Sequence, residues 1–195
     1  MEIDFEAITG YQRYKLMASL IVPRPIALVT TLGEDGIVNA APFSMFNMLG
    51  EEPPIIMISI NRLADGTLKD TAVNIPRERE FVVHLADEAI AQQMHRCGER
   101  FAADVSELDQ VGFTALASSR VKPPRIEQAP VAFECALWET LETPSRHIFI
   151  GKVLMLHVRD ELVDLDAWRV RLEHYFPVGR FGASDYITTR DRFQM

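Results

Sequence analysis

Residues 24–44 constrain the fold more than any other part of the chain. Arg24-Pro25-Ile26-Ala27-Leu28-Val29-Thr30-Thr31 is apolar and rich in β-branched residues, Gly33-Glu34-Asp35-Gly36 follows at once, and Asn39-Ala40-Ala41-Pro42-Phe43-Ser44 comes next. A strand over 26–32, a four-residue hairpin loop and a return over 37–41 account for that order. The return then enters a loop of small residues, one proline and two aromatics, ending near Asn47. Small residues let a flat ligand lie against the backbone, and the amides of Asn39 and Asn47 can pair with a heterocycle's edge. Phe43 and Phe46 would serve equally well as core residues, and Pro42 as an edge-strand stop.

The remaining elements follow from periodicity and from breakers. Residues 11–20 read as a short helix ended by Pro23 and Pro25. The near-continuous apolar run 55–60 reads as a strand covered on both faces. A short helix is expected over 69–75, stopped by Pro76, and a strand over 81–85. Asp87 suits the N-cap of a helix running to about Cys97, and Asp166 that of a last helix through Tyr175. Residues 131–141 and 148–158 form two long strands, and the tail from Pro177 to Gly182 is broken by glycine. Signals between 98 and 130 are mixed. Six or more hairpin-connected strands with a few short helices predict a mainly β, α+β architecture: one closed or nearly closed barrel with helices outside. No interdomain linker divides residues 1–195, so a single domain is expected.

Charge and cysteine usage narrow the functional class. The net charge is -8, which disfavours a nucleic-acid or anionic-membrane partner. Two cysteines, Cys97 and Cys135, are too few for a disulfide framework or a zinc site, and no metal motif occurs. The acidic N-terminus is unlike a targeting peptide, and no apolar run reaches membrane-spanning length. A soluble, cytoplasmic protein is expected.

Ser59-Ile60-Asn61-Arg62 ends an apolar strand in polar donors, and Lys69-Asp70-Thr71 opens a helix. A strand end facing a helix start makes a phosphate seat, with Ser59, Arg62, Lys69 and Thr71 as donors. The same residues also suit a solvated turn with a cap. No Walker loop or dinucleotide fingerprint is present. His147 stands at a strand start, and His84, inside Val82-Val83-His84-Leu85, reads as a core histidine. No serine elbow or paired-carboxylate constellation occurs, which disfavours a hydrolase.

Taken in order, Arg24-Pro25-Ile26-Ala27-Leu28-Val29, Asn39-x-Ala41-Pro42-Phe43-Ser44 and Lys69-Asp70-Thr71-x-x-Asn74-Ile75 resemble the flavin reductase-like family of FMN-binding split-barrel proteins. Phe81-Val82-Val83, Ile150-Gly151-Lys152-Val153 and Pro177-Val178-Gly179-Arg180-Phe181-Gly182 fit the same pattern, although Phe181 and Ala183 replace the leucine and second glycine usual in the tail. The resemblance implies a split barrel that forms a homodimer, with FMN in a cleft at each subunit boundary. It implies that Thr30, Ala41, Pro42, Phe43, Ser44 and Asn47 line the isoalloxazine. Ser59, Arg62, Lys69 and Thr71 would hold the phosphate, with His147 and Tyr186 approaching the flavin's open face or the ribityl chain, near where a nicotinamide can stack.

The implied activity is NAD(P)H-dependent FMN reduction, with NADH or NADPH as co-substrate, supplying reduced flavin to a partner oxygenase. A flavoredoxin-like FMN electron carrier exchanging electrons with a redox protein is the alternative. A non-catalytic flavin or haem module, with His147 as haem ligand, is the third.

Overall fold

The computed structural model describes residues 1–102 and 104–195. In chain order the elements are α1 (Gly10–Leu20), β1 (Arg24–Pro25), β2 (Ala27–Leu32), β3 (Val38–Phe43), β4 (Phe46–Glu51), β5 (Pro54–Asn61), α2 (Asp70–Glu78), β6 (Glu80–Leu85) and α3 (Ala91–Arg96). There follow α4 (Glu107–Val111), β7 (Ala115–Leu116), β8 (Arg125–Ile126), β9 (Val131–Glu142), β10 (Arg146–Val158), β11 (Val163–Asp164), β12 (Arg169–Val170), β13 (Val178–Phe181) and β14 (Asp185–Thr188).

Seven strands form one antiparallel sheet in the order β3-β2-β6-β9-β10-β5-β4. Its edge strands, β3 and β4, are consecutive in the chain and joined only through Ser44 and Met45. The sheet therefore curls to bring its two edges together without a ladder between them, which is a split barrel. Inside it, Val29, Phe43, Ile56, Ile58, Ile60, Phe81, Val83 and Phe149 pack together, and Ala72 and Ile75 of α2 join the same cluster. Residues 26–29, leading into and through the start of β2, alternate between two cores: Ala27 and Val29 enter the barrel, while Ile26 and Leu28 join Met94, Leu108 and Phe113 beneath α3 and α4. Burial on both faces explains the unbroken apolar run in that strand.

Gly151 sets how closely the barrel wall can pack. A Cβ at this position would lie 2.3 Å from Phe81 Cζ and 3.2 Å from Cys135 Cβ. Phe81 is fully buried and has no space to retreat.

Several sequence expectations change. The loop expected after Ala41 is mostly strand, because β3 continues to Phe43 and β4 begins at Phe46. Strand β5 is fully covered on one face and partly on the other: Ile56, Ile58 and Ile60 are buried, whereas on the opposite face Ser59 is buried but Ile55 and Met57 are half-buried. Pro76 lies inside α2 rather than ending it. The helix runs on to Glu78 and stops at Arg79, whose left-handed conformation (φ 59°) returns its N–H to Ile75 O. Asp87 caps no helix. Its carboxylate accepts the Ala89 N–H in a turn, and α3 starts later, at Ala91. No helix spans 166–175 either. Asp164 accepts the Ala167 N–H and closes a β11–β12 hairpin, followed by a 3-10 turn at Leu172–His174. The glycine-broken tail is ordered as β13 and β14, with β13 paired to β1.

The strap at 117–126 crosses the outside of β2, β6 and β9, and buried side chains hold it. Glu134 is 0% exposed and accepts the N–H groups of Ser119 (2.7 Å) and Arg120 (2.6 Å) together with His157 Nε2 (2.5 Å). Burial pushes the Glu134 carboxyl up, but these three donors more than offset it and hold it below its usual range. His84 accepts the Ile126 N–H at Nε2 and bonds Leu28 O through Nδ1, which fixes its neutral tautomer. Complete burial lowers its pKa from 6.5 to about 4.

Two outcomes follow from these contacts. Gly151→Ala should destabilise the protein by about 1–3 kcal/mol in denaturant titrations, as overpacking of a filled core does. Below pH 6.5 the unfolded chain binds a proton at His84 that the folded chain refuses until about pH 4. Stability should therefore fall as pH drops through that window, by up to about 1.4 kcal/mol per pH unit from this residue. His84→Gln should make the slope between pH 6.5 and 4 shallower in the same titrations.

Candidate functional site

A cleft of about 510 Å³ opens where α1, β1, the β3–β4 junction, the ends of β5 and β10, and the β13–β14 hairpin meet. Five cationic side chains line it, Lys15, Arg24, Lys69, Arg146 and Arg180, against one carboxylate, Glu99. A protein of net charge -8 has thus gathered cations in one place. Such a cleft attracts anions and holds them in a poorly screened environment.

One end is built by strand register. On β10, Arg146 faces Asn61 of β5, and Ile148 faces Ser59. Alternation turns Arg146 out beside Ser59 and Asn61, which line the cleft with it. Arg146 Nη1 donates to Ser59 O (3.3 Å), and its guanidinium lies 5.7 Å from the centre of the Tyr14 ring. Lys69, just before α2, sits 5.5 Å from the Phe43 ring centre. Burial lowers the pKa of the Lys69 amine, and neighbouring Arg146 lowers it further. Burial also lowers that of Arg146, against a smaller opposing effect of Tyr14. Neither cation has a carboxylate partner among the described residues. Two desolvated, unpaired cations beside a helix start have the chemistry of a phosphate seat.

The opposite wall comes from α3 and the tail hairpin. The Tyr186 hydroxyl and His95 Nδ1 form a 2.8 Å hydrogen bond, with their rings edge to face. Arg180 lies 4.6 Å over the Tyr186 ring.

The structure brings Pro42, Phe43, Ser44, Ser59, Lys69 and Tyr186 together in this cleft. The other sequence candidates lie elsewhere. Thr30 is fully buried and donates to Pro124 O, so its hydroxyl serves the strap. Thr71 Oγ1 accepts from Asn39 Nδ2, away from the cleft. Ala41 packs against the barrel core, and the exposed Asn47 turns its amide oxygen to the Met48 N–H. Arg62 reaches Gly66 O in its own turn. His147 is 6% exposed and stacks on Phe149, because alternation sends it inward where Arg146 goes out. Sequence reasoning missed Arg24, Arg146, Arg180, Asn61, Tyr14 and His95 as cleft residues. Three of them lay within segments already singled out in the sequence: Arg24 before Pro25, Asn61 at the strand end 59–62 and Arg180 in the tail.

Comparison with known proteins decides the family. A flavin reductase like domain model matches residues 17–173. The chain belongs to the flavin reductase-like family. An uncharacterized protein of Aquifex aeolicus is 41% identical over 187 residues, covering 96% of this chain and 95% of that one. Among solved structures, 2-nitrobenzoate 2-nitroreductase NbaA of Pseudomonas fluorescens is 38% identical, with TM-score 0.91, covering 100% of this chain and 95% of that one. Nitrilotriacetate monooxygenase component B from Bacillus cereus is 30% identical, with TM-score 0.94 and coverage of 100% and 98%. Among the described residues no cluster of three or more His, Cys, Asp or Glu could hold a metal ion, and no helix is long and apolar enough to cross a membrane.

Proposed function

We propose that residues 1–195 act as one FMN-dependent oxidoreductase domain that takes hydride from NADH or NADPH and passes the electrons to a second acceptor. The observation that carries this reading is the cation-lined cleft of an acidic flavin reductase-like protein, with two desolvated cations beside a wall of small residues. Lys69, Arg146 and Ser59, with the start of α2, would hold the FMN phosphate. Pro42, Phe43 and Ser44 would face the flat ring. Tyr186 and His95, rather than the inward-turned His147, would stand at the side open to a nicotinamide. Bound FMN would supply the hydride-accepting centre. The protein's part is to orient both ligands, exclude water with Tyr11 and Tyr14, and hold positive charge near the reduced ring.

Component B of a monooxygenase at 30% identity supports delivery of reduced flavin to a partner oxygenase, and the nitroreductase at 38% supports direct use of an aromatic acceptor. A homodimer would account for the half-covered Ile55 and Met57 of β5 and for exposed Trp138 and Leu141 of β9, two strands away in the same sheet. Two buried, unpaired cysteines suit the reducing cytoplasm.

Anaerobic mixing of FMN-loaded protein with excess NADH, and then NADPH, tests the activity. Bleaching of the flavin's visible absorbance by either is expected. A flavin that stays oxidised with both would overturn the reductase reading and leave an electron carrier. Lys69→Ala or Arg146→Ala should weaken FMN roughly 10- to 100-fold, the loss of a charge-assisted hydrogen bond, whereas Arg62→Ala should change its Kd by less than about threefold.

A further inference from the structure

The cleft holds a second concentration of positive charge that a phosphate seat at Lys69 and Arg146 leaves unused. Strands β1 and β13 pair with Arg24 directly opposite Arg180. Both side chains leave the same face of the ladder, with Cβ atoms about 5 Å apart, and like charges so placed destabilise a sheet. Arg24 is 7% exposed. Its Nη1 donates to Ala18 O and Ile21 O at the end of α1, and its Nε reaches Ser44 Oγ (3.4 Å). Capping α1 accounts for that edge of the guanidinium and leaves Nη2 without a partner among the described residues. It gives no reason for a second arginine across the ladder. Among the described residues Arg180 donates one side-chain bond, to Ala183 O, and its remaining donors have no partner beside the Tyr186 face. Among the described residues no carboxylate pairs with either arginine, although Glu99 lines the same cleft. Burial and the neighbouring Arg180 both lower the pKa of Arg24. Tyr14 borders both pairs: its ring lies by Arg146, and it lines the cleft beside Arg24.

We infer that Arg24 and Arg180 form an oxyanion seat for the second ligand of the cleft, binding a carboxylate or phosphate carried by an aromatic molecule. The inference rests on the reading of the cleft as a flavin site. An anion bridging the two guanidiniums replaces a repulsion with two charge-assisted contacts, and Tyr186 offers the attached ring an aromatic neighbour. Two sources carry that chemistry: an aromatic carboxylate acceptor, and the 2′-phosphate that distinguishes NADPH from NADH.

Benzoate is the probe for the first source, titrated into FMN-loaded wild-type, Arg180→Gln and Arg180→Lys protein while the flavin spectrum is followed. The KM ratio of NADH to NADPH probes the second. Arg180→Gln should weaken benzoate by at least about tenfold, or shift the KM ratio of the two nucleotides against NADPH by a similar factor, while FMN changes by less than about threefold. Arg180→Lys, which keeps the charge, should fall between wild type and Arg180→Gln. Loss of benzoate alone assigns the carboxylate, a shift of the nucleotide ratio against NADPH alone assigns the 2′-phosphate, and both together assign a shared seat. Unchanged benzoate affinity and nucleotide preference in Arg180→Gln would overturn the inference. So would a tenfold loss of FMN in Arg180→Gln with none in Lys69→Ala, which would make the pair the flavin's own phosphate seat. Failure of the wild type to bind FMN would sink the flavin reading separately. In that case, calorimetric titration of inorganic phosphate into flavin-free wild-type and Arg180→Gln protein decides the pair, and equal affinities would reject it.

Discussion

The register of β10 against β5 and β9 is the constraint on which the rest of this protein depends. The strand pairs with β5 over residues 146–152 and with β9 over 147–158, and the side-chain period of two fixes which face each residue of the shared stretch takes. In the observed register Phe149 and Gly151 face the barrel interior, where the missing side chain of Gly151 admits Phe81. The same register turns Arg146 outward to Ser59 and Asn61. A slip of one residue would put a guanidinium in the apolar core and His147 in the cleft. Burial of an unpaired charge is costly enough to forbid that slip. Core packing in one half of the strand therefore decides which titratable group the ligand meets in the other.

Charge is distributed with the same economy. Most of the surface carries the acidic excess, while the cleft collects cations whose like-charge contacts disfavour the ligand-free state. Lys69 and Arg146 lie at one end, Arg24 and Arg180 at the other, with Tyr14 bordering both. Some stability is given up to keep these groups unpaired, and a bound anion restores it.

Much of the fold was legible because it rests on local rules. The hairpin at 27–43, strands β6, β9 and β10, and helix α1 follow from apolar runs and breakers. The errors arose where side chains satisfied backbone groups in ways that spacing cannot reveal. Asp164 and Asp87 bind N–H groups in turns, although each region offered an aspartate well placed to cap a helix. The site was legible by segment and less so by residue. Motif order located the β3–β4 junction and the start of α2, but Thr30 and Thr71 point away from the cleft, and their hydroxyls are already bonded. Arg146 and His147 are adjacent in sequence and opposite in space. Only the pairing of β10 with its neighbours tells them apart.

The two halves of the barrel's outer surface treat polar groups in opposite ways. Over β2, β6 and β9 the strap excludes water, and its backbone is matched by named partners: Glu134 for Ser119 and Arg120, His84 for Ile126, and Thr30 for Pro124. An unmatched group there would bear its full desolvation cost. Over β10 and β5 the outer face is covered less completely: Ile55 and Met57 are half-buried, and the nearby Lys69 and Arg146 have no carboxylate partner among the described residues. Unpaired charge is tolerable where water or a ligand can reach it, and intolerable under the strap. The sheet is one continuous ladder, so the difference between its two faces comes from what covers each. The strap commits one half to structure and leaves the other free to bind.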